Sequence, residues 1–169
     1  MKPVQIGIIG LGTVGTGTVN LLNNNAEEIT RRAGRQINIR AVAVNDTTKQ
    51  RDCETKTFKL TDDPFEVTDD PQVDLIVELM GGDSIAKDVA LRALAHGKHI
   101  VTANKALIAH HGHKLALIAE KANVSLAFEA AVAGGIPIVK ALREGLAGNR
   151  ITSIHGILNG TSNYILSEM

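Results

Sequence analysis

A single cysteine, few aromatic rings and no net charge exclude several kinds of protein for this chain of 169 residues. Cys53 alone cannot close an internal disulfide, which fits a reducing compartment. Three phenylalanines, one tyrosine and no tryptophan, scattered at Phe58, Phe65, Phe128 and Tyr164, build no stacking platform for bases. Eighteen basic residues against eighteen acidic ones give no long-range positive field, so nucleic acid is not an expected partner. No apolar run approaches the roughly 20 residues that span a bilayer. Residues 1–3 pass straight into a strand-like run, without the charged, apolar and small-residue segments of a leader. The expectation is a cytoplasmic protein, without a membrane partner, that binds small molecules locally.

What is present is an alternation of apolar runs with helical periodicity. Residues 4–9 form an apolar run that ends in a glycine-rich turn, as expected of a strand covered on both faces. Val14, Leu21, Leu22 and Ile29 then recur at helical spacing as far as a stop signal at Gly34. Residues 37–44 read as a second strand, with Ile39, Ala41 and Ala43 on one side and Val42 and Val44 on the other. The polar stretch 46–70, interrupted by Pro64, is expected to connect through a short strand and a short helix. Residues 73–80 are the next strand, followed by a helix with Ile85, Val89 and Ala93 on its buried stripe. Residues 98–102 and 124–128 are further strands, separated by a helix marked by Leu107, Ile108, Leu115, Ile118 and Ala122. Strands alternating with helices of this length predict an α/β fold with a mainly parallel sheet. After Glu129 alanine and glycine dominate, Pro137 opens a helix that Gly145 and Gly148 close, and residues 151–158 alternate like a strand with one wet face. From Asn159 a last helix begins.

The turn Gly10-Leu11-Gly12-Thr13-Val14-Gly15 fits the dinucleotide fingerprint and lies where the fingerprint requires, between a strand and a helix. Gly10 permits the tight turn, Gly12 lets backbone approach a pyrophosphate, and Gly15 lets helix and strand pack closely. The free N–H groups and partial positive charge of the helix start complete an anion site. Gly17, inside the helix, is expected to serve close packing. The second strand ends on Asn45 and Asp46, where the adenosine ribose is read. Asp46 could accept from the 2′-hydroxyl of NAD, whereas Lys49 and Arg51 could neutralise the 2′-phosphate of NADP. Two later segments, Glu78-Leu79-Met80-Gly81-Gly82 and Val101-Thr102-Ala103-Asn104-Lys105, lie at strand ends where ligands bind in open parallel sheets. Met80, Gly81 and Thr102 are therefore candidate cofactor contacts. Lys105 opens a helix whose dipole disfavours a cation, a placement that suits a functional group handling protons. His110, His111 and His113 lack a nearby cysteine or carboxylate in sequence and read as a solvated surface.

These segments, together with Glu-Ala-Ala-Val-Ala-Gly-Gly-Ile-Pro from residue 129 and Gly-Ile-Leu-Asn-Gly-Thr-Ser-Asn-Tyr-Ile-Leu from residue 156, resemble homoserine dehydrogenase over essentially the whole chain. The resemblance implies a doubly wound Rossmann-type NAD(P)-binding domain over residues 1–128. Residues 129–169 would then be the incomplete opening of a catalytic and dimerisation domain. It further implies a catalytic Lys105 beside nicotinamide and substrate, and Gly160 and Thr161 against the amino acid. A sodium ion is implied on Glu129 and the carbonyls of Val132, Gly134 and Ile136. The implied reaction interconverts L-homoserine and L-aspartate 4-semialdehyde, on the threonine and methionine branch of amino-acid biosynthesis, in a homodimer of the complete protein.

Two departures qualify the resemblance. Family members commonly carry arginine where this chain has Asn45, and they continue with an acidic substrate-binding segment and a second lysine. The chain alone is therefore expected to hold cofactor, NADP or NAD, without turnover. An NAD(H)-sensing domain, or a dehydrogenase for another amino-acid semialdehyde or hydroxy acid, remains as an alternative reading.

Overall fold

The computed structural model describes residues 1–156 and 160–169. Six parallel strands make one sheet: β1 (Val4–Ile9), β2 (Ile37–Ala43), β3 (Lys59–Thr61), β4 (Leu75–Glu78), β5 (His99–Thr102) and β6 (Leu126–Ala127). Their order is β3-β2-β1-β4-β5-β6. The chain winds outward from β1 through β2 to β3, then crosses back to β4 on the other side. That reversal leaves a crevice between the C-terminal ends of β1 and β4, where Ile9 pairs with Glu78.

Two apolar clusters cover the two faces of the sheet. One joins alternate strand residues such as Ile9, Ala43, Ile76 and Ile100 to α3 (Pro64–Asp69), α4 (Ser84–Ala95) and α5 (Lys105–Lys121). The other joins Ile6, Ile8, Val42 and Val44 to Val19 of α1 (Thr13–Asn24). Ile39 belongs with Val42 and Val44, contrary to the simple alternation expected. Ile6 pairs with Ile39 but Gly7 pairs with Ala41, so Arg40 is an extra residue that shifts the register. The displaced Arg40 reaches Asp70, with Nε 2.6 Å from Oδ2.

The expected single helix to Gly34 is two, because the chain breaks at Asn25 before α2 (Ala26–Ala33). The Asn25 amide donates to the Leu21 carbonyl (3.1 Å), the competition with helix bonding that makes asparagine a breaker. Helix α1 buries Gly15 and Val19 while Val14 and Leu21 stay exposed. Gly17 has nothing within 4 Å of an added Cβ, so close packing does not account for it. The short helix α3 forms as expected, with Pro64 in its first turn and Asp63 accepting from the Phe65 N–H at 2.8 Å. In α4 the buried stripe is Ala86, Val89, Ala90 and Ala93, and Ile85 faces outward.

Beyond a 3-10 turn at Glu129–Ala131 the chain carries α6 (Ile138–Lys140), a π turn at Ala141–Gly145, and α7 (Gly160–Glu168). The strand expected over residues 151–158 does not form in 151–156, which are exposed and pair with no strand among the described residues; Ile157 and Leu158 lie outside those residues. A strand needs a neighbour for its N–H and C=O groups, and an alternating pattern cannot supply one. From Val132 onward no described residue is buried, and Ile136, Ile154 and Leu166 are largely exposed. A segment without a core has little to offset its ordering entropy. Brief protease treatment of the 169-residue chain should therefore cut after Ala131 and spare the sheet, as fragment masses will show.

Candidate functional site

The crevice opens into a cleft of about 620 Å³ that brings together Gly10, Gly12, Asn45, Asp46, Met80 and Gly81. A larger groove of about 990 Å³ lies beside Phe128, Glu129 and Val139, but the chemistry converges on the smaller one. The three fingerprint glycines differ in what requires them. Gly10 has φ +100° and an added Cβ would sit 2.8 Å from the Leu79 carbonyl oxygen. At Gly15 a Cβ would sit 2.3 Å from the Gly10 carbonyl oxygen, so helix and turn pack backbone to backbone. At Gly12 a Cβ would meet nothing within 4 Å. The fold does not need that glycine; it leaves open space in front of the start of α1. Thr13, Val14 and Gly15 form the first turn there, and it contains no acidic residue to cancel the helix dipole. The arrangement fits an anionic pyrophosphate.

On the next strand end, Asn45 is exposed and Asp46 is turned back on its own loop. Its Oδ1 accepts from the Thr48 N–H at 2.8 Å and the Thr48 hydroxyl at 2.7 Å. These bonds from the Thr48 hydroxyl and N–H hold the Asp46 carboxyl below the usual carboxylate range.

Glu78 and Asn104, not singled out individually from sequence, connect β4 to β5 through Thr102, which was. Glu78, fully buried, accepts from the Met80 N–H at 2.8 Å and from the Thr102 hydroxyl at 2.5 Å. Thr102 Oγ1 in turn accepts from the Asn104 N–H at 3.0 Å. The Asn104 side chain caps α5 by accepting from the Leu107 N–H (3.0 Å) and donates to the Gly82 carbonyl (2.5 Å). Lys105 is thus the first residue of α5, exposed, with its helix start tied to the Met80–Gly82 turn. The sequence signals were an acidic residue ending an apolar run and an asparagine just before a helix. His110, by contrast, pairs with Asp83 at 2.6 Å, and no cluster of three metal-ligating side chains exists among the described residues.

A family model described as the homoserine dehydrogenase NAD-binding domain matches residues 10–129, and a homoserine dehydrogenase model matches residues 137–169. The chain belongs to the homoserine dehydrogenase family. It is 58% identical to the homoserine dehydrogenase of Neisseria gonorrhoeae over 100% of this chain and 39% of that protein. With the homoserine dehydrogenase of Pseudomonas aeruginosa the identity is 54%, over 100% of this chain and 38% of the other. The crystal structure of a homoserine dehydrogenase from Thiobacillus denitrificans superposes with a TM-score of 0.91 at 54% identity, covering 99% of this chain and 39% of that one. The chain therefore spans about two fifths of the length of these relatives. The NAD-binding domain of the homoserine dehydrogenase family thus coincides with the glycine turn and its cleft.

The donor set expected for sodium lies beyond that domain's sheet. Glu129 caps α6: Oε1 accepts from the Val139 N–H at 3.0 Å and Oε2 from the Lys140 N–H at 2.8 Å. Each oxygen keeps a lone pair. Ala133 and Gly135 have φ of 50° and 85°, turning the loop sharply at alternate residues. The Ile136 carbonyl already accepts from the Ile138 N–H at 2.8 Å. Oxygen donors of this kind suit a hard cation. Gly160 opens α7, and the surroundings of Gly160 and Thr161 lie outside the described residues.

Burial pushes the Glu78 carboxyl up, and the Thr102, Met80 and Asn104 hydrogen bonds only partly oppose it. A carboxyl raised in the folded state contributes stability that is complete below its unfolded pKa and is lost as pH rises through the folded value. Gln can keep both bonds, accepting from Met80 and donating to Thr102. Glu78→Gln should therefore remove a decline in stability on the alkaline side of the usual carboxylate range. Denaturant midpoints compared across pH check this; parallel pH profiles for the two proteins would contradict it.

Proposed function

We propose that the complete protein carrying this chain interconverts L-homoserine and L-aspartate 4-semialdehyde with a nicotinamide dinucleotide, in the biosynthesis of threonine and methionine. The reading rests on the open cradle over Gly12 at the sheet's reversal point, joined through Glu78 and Thr102 to the strand end that leads into Lys105. The nicotinamide, when bound, supplies the hydride acceptor or donor.

In this reading the domain comprises residues 1–128, and residues 129–169 begin the catalytic and dimerisation domain of a homodimer. Gly10, Gly12 and the N–H groups of Thr13, Val14 and Gly15 hold the pyrophosphate. Asn45 and Asp46 flank the adenosine ribose, and Met80 and Gly81 border the nicotinamide; Thr102, a candidate contact by sequence, is fully buried and supports the Met80 turn through Glu78 instead. Lys105 Nζ meets the substrate oxygen and handles its proton, while Gly160 and Thr161 touch the amino acid. Glu129 with the Val132, Gly134 and Ile136 carbonyls holds sodium. Substrate fixation can lower a barrier by roughly 7–11 kcal/mol. No residue of 132–156 is fully buried, so in this reading the isolated chain binds dinucleotide without turnover.

The test is formation of reduced nicotinamide by the complete protein with L-homoserine and a panel of other hydroxy amino acids and hydroxy acids, run beside the 169-residue chain. Selective homoserine turnover by the complete protein alone is expected. Selective turnover of another substrate would replace the substrate assignment. Dinucleotide binding with no turnover at all would replace the enzyme with an NAD(H)-sensing domain.

A further inference from the structure

We propose that this chain selects the 2′-phosphate of NADP with Arg51, from the loop after β2 rather than from the end of the strand itself. The inference rests on the reading of the glycine cleft as a dinucleotide site. In such a cleft the ribose of the adenosine falls at the end of the second strand, where an acidic side chain favours a hydroxyl and a guanidinium favours a phosphate. This strand ends in neutral Asn45, so the strand end offers no cation.

The loop supplies what the strand end lacks. Arg51 and Lys49 both line the cleft with Asn45 and Asp46. The Arg51 guanidinium is clipped to the loop backbone: Nη1 donates to the Lys49 carbonyl and Nη2 to the Asp46 carbonyl, each at 2.6 Å. Those two bonds fix the cation beside the strand end and leave hydrogens on both terminal nitrogens. Nε is withdrawn from solvent and has no partner, alone in this among buried side-chain nitrogen and oxygen atoms of the described residues. With Nε closed to solvent, an incoming phosphate oxygen would be met by the hydrogens that Nη1 and Nη2 still carry. A guanidinium is also the side chain whose fork matches phosphate geometry.

Asp46, the residue that would favour NAD, has its Oδ1 committed to the two bonds from Thr48. Its charge lies beside that of Arg51. Asp62 and Lys49 also border the cleft, but without the two backbone bonds that fix Arg51 in place. The loop is thus built to hold a cation in place, with the competing carboxylate occupied in shaping it.

The experiment is calorimetric titration of the 169-residue chain with 2′,5′-ADP and with 5′-AMP, at low and at high salt. The unaltered chain should bind the 2′-phosphorylated ligand tighter by on the order of 10- to 100-fold, with the advantage shrinking as salt rises. Arg51→Met should remove most of the advantage while 5′-AMP affinity is kept, Arg51→Lys should restore part of it, and Lys49→Met should lose less. Retained 5′-AMP binding shows that the loop is intact in each variant. Equal affinity for the two ligands in the unaltered chain, or an advantage that survives Arg51→Met, would overturn the assignment. Failure of both ligands to bind would overturn it together with the dinucleotide reading, whereas binding of 5′-AMP alone would sink Arg51 and leave that reading standing.

Discussion

Gly12→Val should abolish dinucleotide binding by a chain that still folds. The reason lies in the empty space at that position: an added Cβ meets nothing within 4 Å, and the backbone at φ −81° is open to any residue. Valine at the residue preceding α1 costs the fold about 1 kcal/mol as a poor cap, which a domain with two apolar clusters absorbs. Its γ carbons occupy the volume through which a pyrophosphate must reach the first-turn N–H groups. Gly10→Ala and Gly15→Ala act differently, because their methyl groups strike the Leu79 and Gly10 carbonyl oxygens at 2.8 Å and 2.3 Å. They should lower the denaturant midpoint sharply. Circular dichroism and calorimetry on the three variants separate the cases. A folded Gly12→Val protein with unchanged affinity would move the phosphate site away from this turn.

In the complete protein, Lys105→Met should lower kcat by about two to four powers of ten, the usual cost of losing a positioned proton-transfer group. Dinucleotide affinity should stay close to its original value. The side chain is exposed at the first position of α5, where the helix dipole opposes a cation, so its removal should leave stability unchanged or slightly higher. Loss of activity with no loss of stability is the mark of a residue retained for chemistry rather than for folding. Steady-state kinetics paired with thermal unfolding reads both quantities. An active Lys105→Met protein would remove Lys105 from the catalytic assignment.

The sheet was legible because apolar runs such as those ending at Ile9, Glu78 and Thr102 are long enough, and punctuated sharply enough by glycine and asparagine, to admit one interpretation. Composition could not reveal the extra residue at Arg40, since a bulge is a property of two strands together. It therefore misplaced Ile39. The exposure of Ile85 was hidden for a related reason: alanines at 86, 90 and 93 pack α4 close to α5 and the sheet, and small residues barely register in a hydrophobic pattern. The tight turn at Gly10 and the close packing at Gly15 were legible, but the roles of Glu78 and Asn104 were not. Both act through partners from neighbouring strands and turns that only the folded sheet brings together. Asp46 shows the converse, a residue whose type suits the ribose but whose Oδ1 is occupied two residues along the chain.

The bonds from the Met80 N–H through Glu78 and Thr102 to Asn104 have a mechanical meaning as well as a chemical one. They tie the tips of two strands into a stiff strut, closed from above by the Asn104 grip on the Gly82 carbonyl. In the proposed reading, a dinucleotide that presses on Met80 and Gly81 would not displace that turn alone. The load would pass through this hydrogen-bonded assembly to the first residue of α5, so Lys105 would be carried with the cofactor as one piece. Alignment between the two would then survive a rocking of larger parts of the protein about this point, and precision at the reacting atoms would not depend on how accurately a distant hinge closes.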